Sequence, residues 1–419
     1  MTDRTWVDTR VSTGVTYSRP EADESLRRGW EPLRVFGAGS DFSLMLPDAR
    51  PTRGHLYAPR GVLLDPSPSG ATRVIAADTG NHRLLVWPDI PEVDGADCAV
   101  VVGQPGPTAE GPQAGGRGPE RGLHLPTGLT RVRDEGTDLL IVADGWNHRL
   151  VGYDASLDAD DPEPVWVLGQ PDLGSVAENA GGDVTGHSFY WPFGIGWHDG
   201  WLWVADTGNR RVLGWRGLPG RDSPGGSGPR NADVVLGQRS GGVRDENRGG
   251  DVAADSFRWP HQLAVLDAVL WVADAGNHRV LGWNLPLDAD RPADHVLGQA
   301  TFATANELPH VPQGPARLRF PYAITASGGD LVVADTANNR VLAWPSPTGA
   351  GSAADTVLGQ NGFDPAGENR WSAVTPDSLC WPYGLASARD QRHGELLAVA
   401  DSGNNRVVMW RRAGQSGRG

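Results

Sequence analysis

Six times along the chain an aspartate is followed by an asparagine three residues later and an arginine two residues beyond that. The aspartates are Asp78, Asp144, Asp206, Asp274, Asp335 and Asp401. The arginines are Arg83, Arg149, Arg211, Arg279, Arg340 and Arg406, and the asparagines between them are Asn81, Asn147, Asn209, Asn277, Asn338 and Asn404. A carboxylate and a guanidinium this close can pair through charge-assisted hydrogen bonds, and a single copy would suggest an acid–base or anion-binding centre. Six copies change that reading. A group present in every repeat serves a need of every repeat, so a brace is expected. Asp and Asn would hydrogen-bond a tight turn, and Arg would neutralise Asp where both are buried.

Chemistry is expected where the copies differ. Each repeat carries a proline ahead of this set, and the residue after it changes from copy to copy: Arg60, Thr127, Phe193, His261, Tyr322 and Tyr383. His261 has the titration range of a general base. Tyr322 and Tyr383 could donate hydrogen bonds or protons, and these three are the candidate catalytic residues. Arg60 could hold an anionic group, with Thr127 and Phe193 as further ligand-binding positions. The competing reading is an ordinary solvated or plugged channel. A second pattern, AENAGG from Ala177, DENRGG from Asp245 and GENRW from Gly367, puts Glu178, Glu246 and Glu368 beside repeated asparagines. These glutamates could form an acidic rim for a cation or basic partner. The repetition also fits simple loop bracing by Asn179, Asn247 and Asn369.

No metal is expected. Only His261 among the post-proline residues could ligate zinc, which wants three or four ligands. The run DASLDADDPE from Asp154 lacks the central Gly and terminal Glu of a calcium loop. No nucleophile elbow, phosphate loop or dinucleotide fingerprint is present, so no cofactor is called for.

The elements that must position these residues are short strands. The Asp positions are spaced by 66, 62, 68, 61 and 66 residues, a repeat architecture. Within one repeat, PFGIGW, GWLWVAD, RVLGW and VVLGQ read as four strands rich in Val, Leu and Trp, bounded by Gly, Pro, Asn or Asp. Four strands per repeat predict an all-β, six-bladed β-propeller. Strand a would line the central channel. The post-proline residues would then converge at its mouth, on the face that carries the long d-to-a loops. The sixth repeat stops after its third strand near Trp410. LRVFGAG, from Leu33, is expected to supply the missing fourth strand and so close the ring. The expected organisation is an irregular segment 1–32, a propeller over 33–411 and a tail 412–419.

Composition agrees. Glycine (57) and proline (33) make about a fifth of 419 residues, as suits a chain dense in turns. The net charge of −14 and the lack of a basic run argue against nucleic acid. No apolar stretch nears the roughly 20 residues that span a bilayer, so no membrane partner is expected. No signal peptide is visible in MTDRTWVDTR, and two distant cysteines, Cys98 and Cys380, are not a disulfide framework. A cytoplasmic protein is expected.

The VAD-x-x-N-x-R-V core with Pro-x-Gly upstream resembles the NHL repeat. His82, His148 and His278 reproduce that family's Asn-His signature, while Arg210, Asn339 and Asn405 depart from it. The resemblance spans roughly residues 33–411. It implies a propeller whose relatives include protein-binding scaffolds, RNA-binding modules and a peptide-amidating lyase. Fold does not decide among these. The sequence reading is a propeller that binds a protein or small ligand on its loop-rich face at the channel mouth. The alternative is a small-molecule lyase, hydrolase or isomerase acting at the same place.

Overall fold

The computed structural model describes residues 24–37, 50–134, 136–220, 230–307, 309–345 and 349–412. The expectations for residues 1–23 and 413–419, and for the last two residues of LRVFGAG, lie outside the described residues. The chain forms six antiparallel four-stranded sheets and almost no helix. Their innermost strands are Gly61–Pro66, Pro126–Asp134, Pro192–His198, Pro260–Leu266, Pro321–Ser327 and Pro382–Asp390. Each touches the next, and the last touches the first. The result is a closed six-bladed propeller.

The third blade shows how sequence becomes blade. Pro192–His198 pairs with Trp201–Asp206, which pairs with Arg211–Arg216, which pairs with the short outer strand Val234–Leu236. Alternation of apolar residues across both faces suits a strand buried between neighbouring blades. Among the described residues the apolar side chains bury into six clusters, each shared by two adjacent blades, rather than into one central core. The tryptophans ending the third strands are all at most 1% exposed, with Tyr153 in the same role in the second blade.

Ring closure is as the sequence indicates. Trp30–Phe36 pairs antiparallel with Arg406–Arg412, so the last blade takes its outer strand from the chain's beginning. The pairing starts at Trp30, three residues before the apolar motif that betrays it. Trp30, Val35 and Phe36 are buried. Trp30 packs in the cluster between blades five and six, and Phe36 in the cluster between blades six and one.

The repeated triad is a brace. In blade three, Asp206 accepts hydrogen bonds from Tyr190 N (2.9 Å), Asn209 Nδ2 (2.8 Å) and Arg211 Nε (2.8 Å). Arg211 then donates to the carbonyls of Gly241, Thr185 and Ser188, tying two long loops to one turn. Every blade repeats the Asp–Arg pair with both side chains 0% exposed. The Gly-Gln pair ending strand d braces the same loops: Gln170 Nε2 donates to Ala177 O and Gln238 Nε2 to Asp245 O.

Candidate functional site

Close approach of the innermost strands gathers the post-proline residues. A Cβ on Gly194 would lie 2.2 Å from His261 O, and one on Gly128 would lie 2.4 Å from Phe193 O. The glycine of Pro-x-Gly therefore lets one blade's strand seat against the next. Five of the side chains touch in blade order, from Phe193 round to Arg60, and Thr127 joins them through the Phe193 backbone. Thr127 Oγ1 donates to Phe193 O (2.9 Å). Ring centroids of Phe193 and His261 are 4.5 Å apart, of His261 and Tyr322 4.2 Å and stacked, and of Tyr322 and Tyr383 4.7 Å. The Arg60 guanidinium lies over the Tyr383 ring at 4.8 Å.

These contacts make a floor across the channel mouth. His261 is 2% exposed, and its Nδ1 donates to Trp259 O at 2.8 Å, which assigns the tautomer and leaves Nε2 with the lone pair. Burial, aided by the Arg60 charge, pulls its pKa down to about 4. At neutral pH it is a weak base. Burial pushes Tyr322 up to about 12, with the Tyr383 hydroxyl adding to the effect, and burial also raises Tyr383. Arg60 forms no ion pair among the described residues, and its Nε is buried without a hydrogen-bond partner.

Above this floor stands a tier of residues that precede each proline: Ala58, Leu125, Trp191, Trp259, Phe320 and Trp381. All six have left-handed backbone, with φ between 46° and 60°. Five of their N–H groups are held by the previous blade. His82, His148 and His278 accept through Nδ1 from Leu125, Trp191 and Phe320. Asn339 and Asn405 accept through Oδ1 from Trp381 and Ala58. The family-like histidines are thus inter-blade acceptors, and Asn does the same work. Arg210, at the sixth such position, has no acceptor to offer.

An accepting His must stay neutral. Burial and the nearby His124 lower the His82 pKa to about 4, against about 6.5 in an unfolded chain. The unfolded state binds the proton first, so this stabilisation is whole above pH 6.5 and is lost as pH falls from 6.5 towards 4. His82→Asn is expected to leave stability unchanged at pH 7.5 and to soften its decline between pH 6.5 and 4. Urea titrations at four pH values across that range would show it, and an identical decline in both proteins would refute it.

The loop glutamates separate into two kinds. Glu178 pairs with Arg244, and Glu246 with Arg258 (3.2 Å) and more distantly Arg210 (4.0 Å). Glu368 forms no ion pair among the described residues and accepts from Trp381 Nε1 at 2.9 Å. The neighbouring asparagines brace the loops, as Asn179 Oδ1 does by accepting from Asn209 and Ser188. In blades two and five that task falls to Gln113 and Gln313, which contact Asn147 and Asn338. Their different loop spacing hid them in the sequence.

Beside Glu368 the loop-rich face opens into a cavity of about 670 Å³. Trp259, Phe320, Tyr322, Trp371 and Trp381 supply its aromatic walls, and Arg319, Asn339 and Glu368 its polar ones. Trp371 is 82% exposed and Trp381 39%. Trp371 occupies the loop position filled by Gly181 and Gly249 in blades three and four, where φ is 78° and 75°. Its own φ is 55°. A bulky residue held there costs roughly 1–2 kcal/mol. Trp146 likewise stands in a turn where Gly80, Gly208, Gly276 and Gly403 stand in other blades, but it packs on the rings of His124, His148 and Trp191. Trp371 has no ring contact among the described residues. A cavity of about 480 Å³ on the opposite face is lined by Asp65, Arg73 and Arg131, which are already paired with one another. Among the described residues no cluster of three or more His, Cys, Asp or Glu side chains could hold a metal, and no helix is long and apolar enough to cross a membrane.

No family model matches this chain, and no curated protein matches it. Solved structures do. BBS1N, solved in complex with ARL6DN and soaked with mercury, is 12% identical over 93% of this chain and 99% of its own, with a TM-score of 0.42. Virginiamycin B lyase from Staphylococcus aureus is 11% identical over 84% of this chain and 94% of its own, with a TM-score of 0.39. Raptor of Chaetomium thermophilum is 13% identical over 93% of this chain and 29% of its own, with a TM-score of 0.44. The propeller assignment rests on this chain's own strand order and closed ring.

Proposed function

We propose that this protein is an NHL-type propeller that binds a small ligand on its loop-rich face, in the aromatic cavity above the channel mouth. The observation that carries the reading is Trp371, a large apolar side chain kept exposed and in left-handed backbone where sister loops use glycine. Its indole touches Gly367 of its own loop and otherwise faces the cavity. The cavity has the size and the mix of aromatic walls with few polar groups typical of ligand sites. The post-proline ring is then its floor: Tyr322 lines the cavity directly, His261 and Tyr383 pack on Tyr322, and Phe193, Arg60 and Thr127 stand behind them. Binding has better support than catalysis, because His261 is buried between rings and burial holds its pKa well below the near-neutral range best suited to a general base. Two free, buried cysteines suit a reducing compartment such as the cytoplasm.

A thermal-shift screen of small organic molecules, followed by calorimetry on the hits, tests this. Trp371→Gly is expected to weaken binding about tenfold or more while leaving the melting temperature unchanged or higher. Trp146→Ala, which removes an exposed indole outside the cavity, is expected to leave affinity intact. Equal affinity in wild type and Trp371→Gly would sink the reading.

A further inference from the structure

We infer that the ligand presents a quaternary ammonium group to this cavity; the inference rests on the binding reading above and specifies its chemistry. The cations at the cavity rim are already matched, and the Arg60 guanidinium, unpaired among the described residues, lies below them, over the Tyr383 ring at 4.8 Å. Arg319 pairs with Glu307 at 2.9 Å, Arg258 with Glu246 at 3.2 Å, and Arg370 with Asp377 at 3.0 Å. Glu368 is the carboxylate left over, exposed at the wall between Trp371 and Trp381. It therefore sets the sign of the field at the rim, and the net charge of −14 reinforces it. Indole faces attract cations through their quadrupole, and Trp does so best.

The polar groups also say what kind of cation. A protonated amine brings three N–H donors and needs acceptors for them. Here acceptors are scarce. Asn339 is committed on both sides, to Ala366 O at 2.9 Å and from Trp381 N at 2.8 Å. One oxygen of Glu368 is engaged by Trp381. A tetraalkylated nitrogen has no donor to satisfy, and its methyl groups pack directly on rings. The volume of about 670 Å³, open to solvent on the loop-rich face, suits a small molecule carrying such a headgroup.

Calorimetric titration of the full chain with choline chloride and with its neutral isostere 3,3-dimethylbutan-1-ol tests the assignment. Choline is expected to bind about tenfold more tightly than the isostere, and Glu368→Gln to erase that preference without weakening the isostere. Equal binding of both probes would overturn the cation and leave the cavity reading standing. Failure of choline to bind, while neutral hits from the screen lose affinity in Trp371→Gly, would also overturn the cation alone. Hits indifferent to Trp371→Gly would overturn both. A trimethyllysine peptide that binds more tightly than choline and loses affinity in Glu368→Gln would overturn the small-molecule source.

Discussion

Asp206→Ala is expected to destabilise the protein by about 3–5 kcal/mol, the usual cost of leaving one partner of a buried ion pair uncompensated. Asp206 and Arg211 are both 0% exposed. Removing the carboxylate orphans Tyr190 N and one N–H of the Asn209 amide and leaves the Arg211 charge in a dry site. Arg211 keeps its carbonyl acceptors at Thr185 and Ser188, so the charge cannot leave without dragging those loops. Asp206→Asn should cost less, since an amide oxygen still accepts one N–H. Urea unfolding followed by circular dichroism would measure both. A loss below about 1 kcal/mol for the alanine variant would show that the triad does not brace the blade.

Phe36→Ala is expected to cost about 3–5 kcal/mol, as large aromatic truncations in packed cores do. Phe36 is 0% exposed, and its ring meets Trp87 edge-on at 5.0 Å between centroids. The residue joins the strand that closes the ring to the first blade, so its loss acts on two blades. Hydrogen exchange should rise along Arg406–Arg412, whose partner is Trp30–Phe36. Glu31→Ala removes only a surface pair with Arg411 and should cost under about 1 kcal/mol. Similar losses for the two variants would argue that closure contributes little to stability.

The sequence showed the fold because repetition shows each local rule six times. The Asp spacing, the strand patterns and the displaced fourth strand at Leu33 were all legible, and the post-proline residues do converge. Their environment was not legible. Nothing in a His after a proline says that it will be stacked on Tyr322 and held well below its usual pKa. The roles of His82, His148 and His278 were hidden because an acceptor across a blade boundary has no local signature. Gln113 and Gln313 escaped because their loops differ in length from those holding Asn179, Asn247 and Asn369. Trp371 was visible in GENRW, but its meaning needed the backbone angle shared with Gly181 and Gly249.

The scaffold thus absorbs the conspicuous repeats, and the departure of one loop from its sisters marks the proposed site. The chain has 17 tryptophans, most of them structural. Uniform 5-fluorotryptophan labelling and fluorine NMR would read them all at once, with Trp371, Trp381, Trp259 and Trp146 assigned by single substitutions. On adding hits from the small-molecule screen, the resonances of Trp371, Trp381 and Trp259 should shift together in a saturable way while that of Trp146 stays put. Shifts confined to other tryptophans, or none at the cavity with a compound that binds, would contradict the account.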